Sequence, residues 1–225
     1  MTLKWGSTTV TAVKWGSTNV TQVNWGSTKV WPDGIISNFT TIFTIVGANG
    51  DSGVTASNSA QNGTHYRDST KGTSFVAASI SGNTFVVHSD YYRRSENYYN
   101  KVSAYAYKQT SSAIAISNKK IKMTYTVSGY SSSNGLIGTR GYYASSALTI
   151  SSNKLSGSKT SLAGISISGM SNITGNGSFS VTSTTVLNGS YYLILGFGAS
   201  ANNNGTYQLG TAQATIVLNN VELVS

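Results

Sequence analysis

The sequence predicts an all-β protein, in which a short N-terminal β-repeat segment is followed by an antiparallel, jelly-roll-like β-sandwich. Three observations predict this. Only 9% of the 225 residues are charged, and the Leu, Ala, Glu and Lys of a helical bundle are scarce. Short runs rich in Val, Ile, Thr, Tyr and Phe alternate with Gly, Asn and Ser clusters. No segment sustains an apolar period of 3.6 residues.

The composition also excludes several classes. Aromatic residues make up 11% and Pro occurs once, which argues against disorder. The longest apolar runs span a few residues, against about 20 for a membrane helix, so no membrane insertion is expected. With no Cys, a disulfide scaffold, a thiolate zinc site and a Cys nucleophile are excluded. The start, Met1 to Gly6, has no apolar signal core, so assembly in a cytoplasm is expected.

Residues 1–34 carry a ten-residue repeat. Lys4-Trp5-Gly6-Ser7-Thr8-Thr9-Val10 recurs as Lys14-Trp15-Gly16-Ser17-Thr18-Asn19-Val20 and as Asn24-Trp25-Gly26-Ser27-Thr28-Lys29-Val30. It ends at Trp31-Pro32-Asp33-Gly34, which contains the only Pro and reads as a boundary. Val, Thr and Trp favour extended backbone and Gly-Ser-Thr supplies a turn, so each unit is expected to be one short strand and one tight turn. All four Trp lie here, and each indole can bury roughly 150–250 Å². A 31-residue ribbon has no second layer to cover them. Sister subunits, the following domain of the same chain or another protein could cover them. Because tandem units suit a repetitive contact surface, Trp5, Val10, Val13, Trp15, Val20, Val23, Trp25, Val30 and Trp31 are expected to anchor the chain to sister subunits or to a docking partner.

Residues 35–225 are expected to form the sandwich. Strands are predicted at 35–46, 74–80, 84–89, 98–108, 113–116, 120–128, 136–143, 147–150, 160–167, 178–182, 190–197 and 212–224. Alternation is clear in Ile121-Lys122-Met123-Thr124-Tyr125-Thr126-Val127. Turn signals are Gly82-Asn83, Asn134-Gly135, Asn176-Gly177, Asn188-Gly189 and Asn204-Gly205.

The net charge is +9, and no Asp or Glu falls between Asn97 and Val221. Such a basic field favours an acidic glycan, an acidic protein surface or nucleic acid, or simply keeps a polar surface soluble. Chemistry-bearing residues are few. His88-Ser89-Asp90 holds triad residue types, but adjacent residues on a strand face opposite ways. His65 reads as a loop residue. Asp51 and Asp90 lack the Asp-x-Asp spacing of a calcium loop, and no zinc spacing occurs. No catalytic residue, metal or cofactor is assigned.

The strongest local feature is aromatic. Six of the 14 Tyr fall between Asp90 and Lys108, with Arg93 and Arg94 among them. Tyr rings beside Arg suit sugar rings, whose C–H faces pack on aromatics while hydroxyls bond polar groups; single-stranded nucleic acid, which uses the same mixture, is not favoured here. Tyr91, Tyr92, Arg93, Arg94, Tyr98 and Tyr99 are the glycan-contact residues expected, with Tyr142 and Tyr143 as a second group. Core packing and a subunit interface are the competing use of these rings.

The tandem Trp-Gly-Ser-Thr repeat, ending in Val30-Trp31-Pro32-Asp33-Gly34, resembles the N-terminal segments of structural proteins of tailed bacteriophages. The remainder resembles jelly-roll modules of the carbohydrate-binding type, most clearly in the run Ala214 to Leu223. The resemblance implies a virion component, a head fibre or capsid decoration protein, often homotrimeric, bound to another virion protein and contacting host surface glycans. A tail-fibre receptor-binding protein is the alternative, and a polysaccharide-degrading enzyme a third.

Overall fold

In this computed structural model of the chain, residues 4–5, 8–9, 13–15, 18–20, 23–25, 28–31, 36–47, 53–57, 61–68, 72–93, 101–151, 154–165, 173–202 and 209–225 are described. Side chains are described within 36–46, 75–90, 103–151, 154–165, 173–201 and 210–225. The described residues are all-β and antiparallel throughout.

The repeat folds as hairpins. Strands β1 (Lys4–Trp5) and β2 (Thr8–Thr9), β3 (Val13–Trp15) and β4 (Thr18–Val20), and β5 (Val23–Trp25) and β6 (Thr28–Trp31) each form a separate two-stranded sheet. Each unit thus holds two strands rather than the single strand expected. Trp15 pairs with Thr18 and Val13 with Val20, leaving two residues between the strands, the shortest common hairpin link. The hairpin also resolves a parity conflict. Trp15 and Val20 are an odd number of residues apart, yet the register sets both on one face. In the third unit a register shift after Val23 places Trp31, not Val30, opposite Val23. Val10 lies outside the described residues, and of the other anchor residues only the backbone is described.

The sandwich is built from β7 (Phe39–Gly47), β8 (Gly53–Ser57), β9 (Gln61–Asp68), β10 (Gly72–Ser81), β11 (Thr84–Arg93), β12 (Lys101–Thr110), β13 (Ile114–Ser133), β14 (Gly135–Ala144), β15 (Thr149–Ser151), β16 (Lys154–Ser156), β17 (Thr160–Ser161), β18 (Gly177–Thr182), β19 (Leu187–Asn202) and β20 (Leu209–Val224). One sheet runs in the order β9-β10-β11-β20-β13-β18. The other runs in the order β8-β7-β12-β19-β14-β17. The first residues of β13 pair with the first residues of β19, Ile114 with Tyr191 and Lys119 with Leu187, so one corner joins the two sheets. Asn118 turns that corner at φ 50°, a left-handed conformation that Asn tolerates better than most residues. The sequence places two strands, 113–116 and 120–128, where one long bent strand runs.

The core lies between the sheets. From the first come Val76, Ala78, Phe85, Val87, Ile121, Met123, Tyr125 and Ile216; from the second come Val46, Ala104, Ala106, Ile137, Leu195 and Phe197, all buried. Phe197 sits edge-on to Phe85 at 5.0 Å and to Tyr125 at 5.1 Å between ring centres. Such aromatic edge contacts add to the energy of area burial. Strand β20 changes its buried parity midway. Thr124 pairs with Asn220 and Tyr125 with Leu218, so Asn219 is the extra residue of a β-bulge. Leu218 and Val221, three residues apart, are consequently both buried.

Other expectations need correction. The chain has no strand over 36–38; it enters through a hydrogen bond from Ile36 N–H to Val221 O at 2.8 Å. His65 lies on β9, not in a loop. Strand 160–167 stops after Ser161, because the backbone turns at 163–165 with Gly164 at φ 87°. Asn188-Gly189 lies inside β19 rather than at a turn. Asn134 links β13 to β14 across the two sheets and closes no hairpin. Asn204-Gly205 lies outside the described residues.

Candidate functional site

The outer face of the second sheet carries an aromatic and cationic platform, and the strand registers explain it. Residues Tyr105 and Tyr107 of β12 pair with Gly198 and Gly196 of β19, which in turn pair with Gly138 and Arg140 of β14. On β19 the glycines alternate with Phe197, which points inward. Two adjacent outward positions of the central strand are therefore bare. Side chains from the flanking strands can lean over that floor, a recurrent use of strand Gly.

They do so. The Arg140 guanidinium carbon lies 5.4 Å from the centre of the Tyr105 ring, a cation–π distance. Tyr107 stacks on Tyr105 at 6.1 Å and meets Tyr142 at 6.1 Å. Tyr107 is buried, while Tyr105, Arg140, Tyr142 and Tyr192 are half-exposed. Burial, the Tyr142 phenol and the Tyr105 phenol hold the Tyr107 hydroxyl in its neutral form well above the usual range, with Arg140 pulling the other way. The Nε of Arg140 is buried and has no partner among the described residues. No carboxylate pairs with its guanidinium among the described residues.

One edge of the platform is covered. Leu148, Ile150 and Leu155, in and around the β15–β16 hairpin, pack with Phe43, Tyr107 and Ile194. Gln109 tethers this flap, its Oε1 accepting from Leu148 N–H at 2.8 Å, with both groups buried.

Tyr142 and Tyr143 part company, as neighbours on a strand must. Tyr142 joins the platform, whereas Tyr143 packs against the main core and meets Tyr191 edge-on at 5.1 Å. The first expected group falls largely outside the described residues. Tyr91, Tyr92 and Arg93 end β11, pairing through their backbones with β10 and β20, and their side chains are outside those described. Arg94, Tyr98 and Tyr99 lie outside the described residues. Residue order alone does not single out Arg140, and it gives Tyr105 and Tyr107 no place in the expected contact set. The signal available was Leu195-Gly196-Phe197-Gly198, a strand with every second position bare, flanked in space by Tyr and Arg.

A second cluster sits on the outer face of the first sheet. Asp90 accepts hydrogen bonds from His88 Nε2 at 2.7 Å and from the Thr211 hydroxyl. Phe75 meets the His88 ring edge-on at 4.8 Å. Ser89 points the opposite way and donates to Ala199 O at 3.0 Å inside the sandwich. The carboxylate, not the imidazole, stands between hydroxyl and partner, the reverse of the triad order.

A third feature is a cleft of about 170 Å³ at one end of the sandwich. It is lined by the apolar residues Ile36, Phe39, Leu218 and Val221 and by the polar residues Ser37, Asn83, Asn219, Asn220 and Lys108. Neither the known protein families nor the curated proteins include a match to this chain.

Proposed function

We propose that the chain is a structural, non-enzymatic component of a tailed-phage virion, a head fibre or capsid decoration protein. Residues 1–34 attach it, and residues 35–225 are displayed. One observation carries this reading: among the described residues each tandem hairpin pairs its strands only with each other, as a sheet separate from the large sheet of the following domain. Closely similar small units with one apolar residue set apiece suit a repeated contact on sister subunits in a homotrimer or on a capsid neighbour. Three such units also multiply one weak contact into a firm one. The likeness of the repeat to phage structural proteins supplies the setting.

The displayed module contacts host glycans through Tyr105, Arg140 and Tyr142, with half-exposed Tyr192 beside them. The half-exposed rings offer aromatic surface to sugars, and Arg140 offers donors to hydroxyls or acidic groups. The alternative, a tail-fibre receptor-binding protein, uses the same platform with a defined ligand.

The test is assembly. Particles made with a chain lacking residues 1–34 should lose the protein, while the truncated chain stays soluble and β-structured. Incorporation of the truncated chain at normal occupancy would overturn the anchor. On a glycan array, Tyr105→Ala with Tyr142→Ala should abolish binding if the platform makes the contact. Loss confined to a Tyr91→Ala, Tyr92→Ala variant would move the contact to the end of β11.

A further inference from the structure

We infer that the cleft beside Lys108 is a binding site for a small organic monocarboxylate. The proposal is independent of the virion reading.

Lys108 follows Ala104 and Ala106 on the inward face of β12, and it is only 8% exposed. Its ammonium reaches across the open end of the sandwich to the turn between β10 and β11. There it donates to Gly82 O at 2.8 Å and to Asn83 Oδ1 at 3.1 Å. Both acceptors are neutral, and an ammonium has three donors. A charge withdrawn from water is costly unless an opposite charge meets it. No carboxylate among the described side chains does so. Asp90 is held by His88 and Thr211, and Glu222 pairs with Lys122 at 2.8 Å. Burial pulls the Lys108 ammonium below its ordinary range, as expected for a cation withdrawn from water.

The adjoining cleft offers space for an anionic partner. Its rim is fixed by Ile36 N–H to Val221 O at 2.8 Å and Leu218 N–H to Asn83 O at 2.9 Å. The bulge at Asn219 lies on that stretch of β20, and Leu218, Asn219, Asn220 and Val221 all line the cleft. A volume of about 170 Å³ exceeds the room a single water needs several-fold. One cation balances one negative charge, so a monovalent carboxylate fits the site better than a phosphate dianion. Asn83, Asn220 and Ser37 are the polar lining residues beside Lys108, while Ile36, Phe39, Leu218 and Val221 give the ligand's body apolar neighbours.

The experiment is a titration of the full chain with sodium acetate and sodium butyrate at pH 7, with ionic strength held by sodium chloride. Backbone amide shifts of Asn83, Lys108 and Asn220 are followed. Saturable shifts confined to the cleft, with butyrate binding more tightly than acetate, are expected. Lys108→Met should weaken butyrate at least tenfold. Ser37→Trp, which fills the cleft and leaves the lysine in place, should do the same, and it decides the matter if Lys108→Met fails to fold. Linear shifts, equal affinity for inorganic phosphate, or butyrate binding unchanged in Ser37→Trp would each overturn the proposal.

Discussion

Gly196 lies so close to the carbonyl of Ala106 that a Cβ at position 196 would overlap that oxygen and stand 2.8 Å from the Cα of Tyr107. The obstruction is backbone, so no side-chain rotation relieves it. The bare floor of the platform is therefore required by the packing of β19 on β12, not only permitted by it. Gly196→Ala should cost roughly 2–3 kcal/mol, at the upper end for overpacking. Urea unfolding measures this, and an unchanged midpoint would refute the close approach.

Phe197 occupies the opposite side of the same strand. Truncation to Ala removes its edge contacts with Phe85 and Tyr125 and leaves a cavity between the sheets. A loss of about 3–5 kcal/mol is expected. Calorimetric melting should show it as a large drop in Tm with the β-sheet signal retained at low temperature.

The flap over the platform hangs on Gln109. Gln109→Ala would leave the buried Leu148 N–H without its acceptor, at a cost of about 1–3 kcal/mol. Much of that cost is expected locally, as faster amide exchange over 148–156 and freer access to Tyr107. Uniform exchange across the sandwich would indicate that the flap is integral to the fold.

Alkaline pH should unfold the protein through its buried tyrosines. Burial pushes Tyr125 up to about 12 from 10.0, and Tyr107 is also raised. A raised folded-state pKa means that the folded chain holds these protons more tightly. Their contribution is complete below pH 10.0 and is lost as pH climbs toward 12 for Tyr125. Lys108 acts in the opposite sense, since its lowered value favours the folded state as pH rises toward 10.5. Tyr125→Phe should keep more of its stability between these limits, read as a smaller fall in the urea midpoint from pH 9 to pH 11. An identical fall in both chains would sink this account.

All four Trp lie at or before residue 31, so the hairpins and the sandwich have separate optical reporters. Deleting residues 1–34 should remove indole emission altogether and leave the tyrosine near-ultraviolet signal and its urea midpoint unchanged. A lower midpoint would show that the hairpins brace the sandwich.

Much of the sandwich is readable from residue order because a period of two survives wherever a strand stays regular. Ile121, Met123, Tyr125 and Val127 are buried as their alternation predicts. What escapes the eye depends on partners distant in sequence. Strands β8 and β9 have little apolar alternation; they exist by adding to β7 and β10. The parity switch in β20 comes from a bulge against β13, and no single residue announces it. The platform is hidden for the same reason. Tyr105 and Arg140 are 35 positions apart, and only the intervening glycines of β19 bring them together. The repeat, by contrast, needs no distant partner, and its identity is plain from sequence, though not its folding as paired strands.

Ile36 hydrogen-bonds to Val221, so the sandwich is entered and left at neighbouring points. A body with adjoining ends can be grafted into a surface loop of another protein or rewired by joining the ends and opening a different turn. Gly82-Asn83, which links β10 to β11, offers one new opening, though it would sever the acceptors of Lys108. A linker from Ser225 back to Ile36 with a break in an exposed turn such as 145–146 would leave those acceptors intact and turn the module inside its own topology without altering a single strand partner.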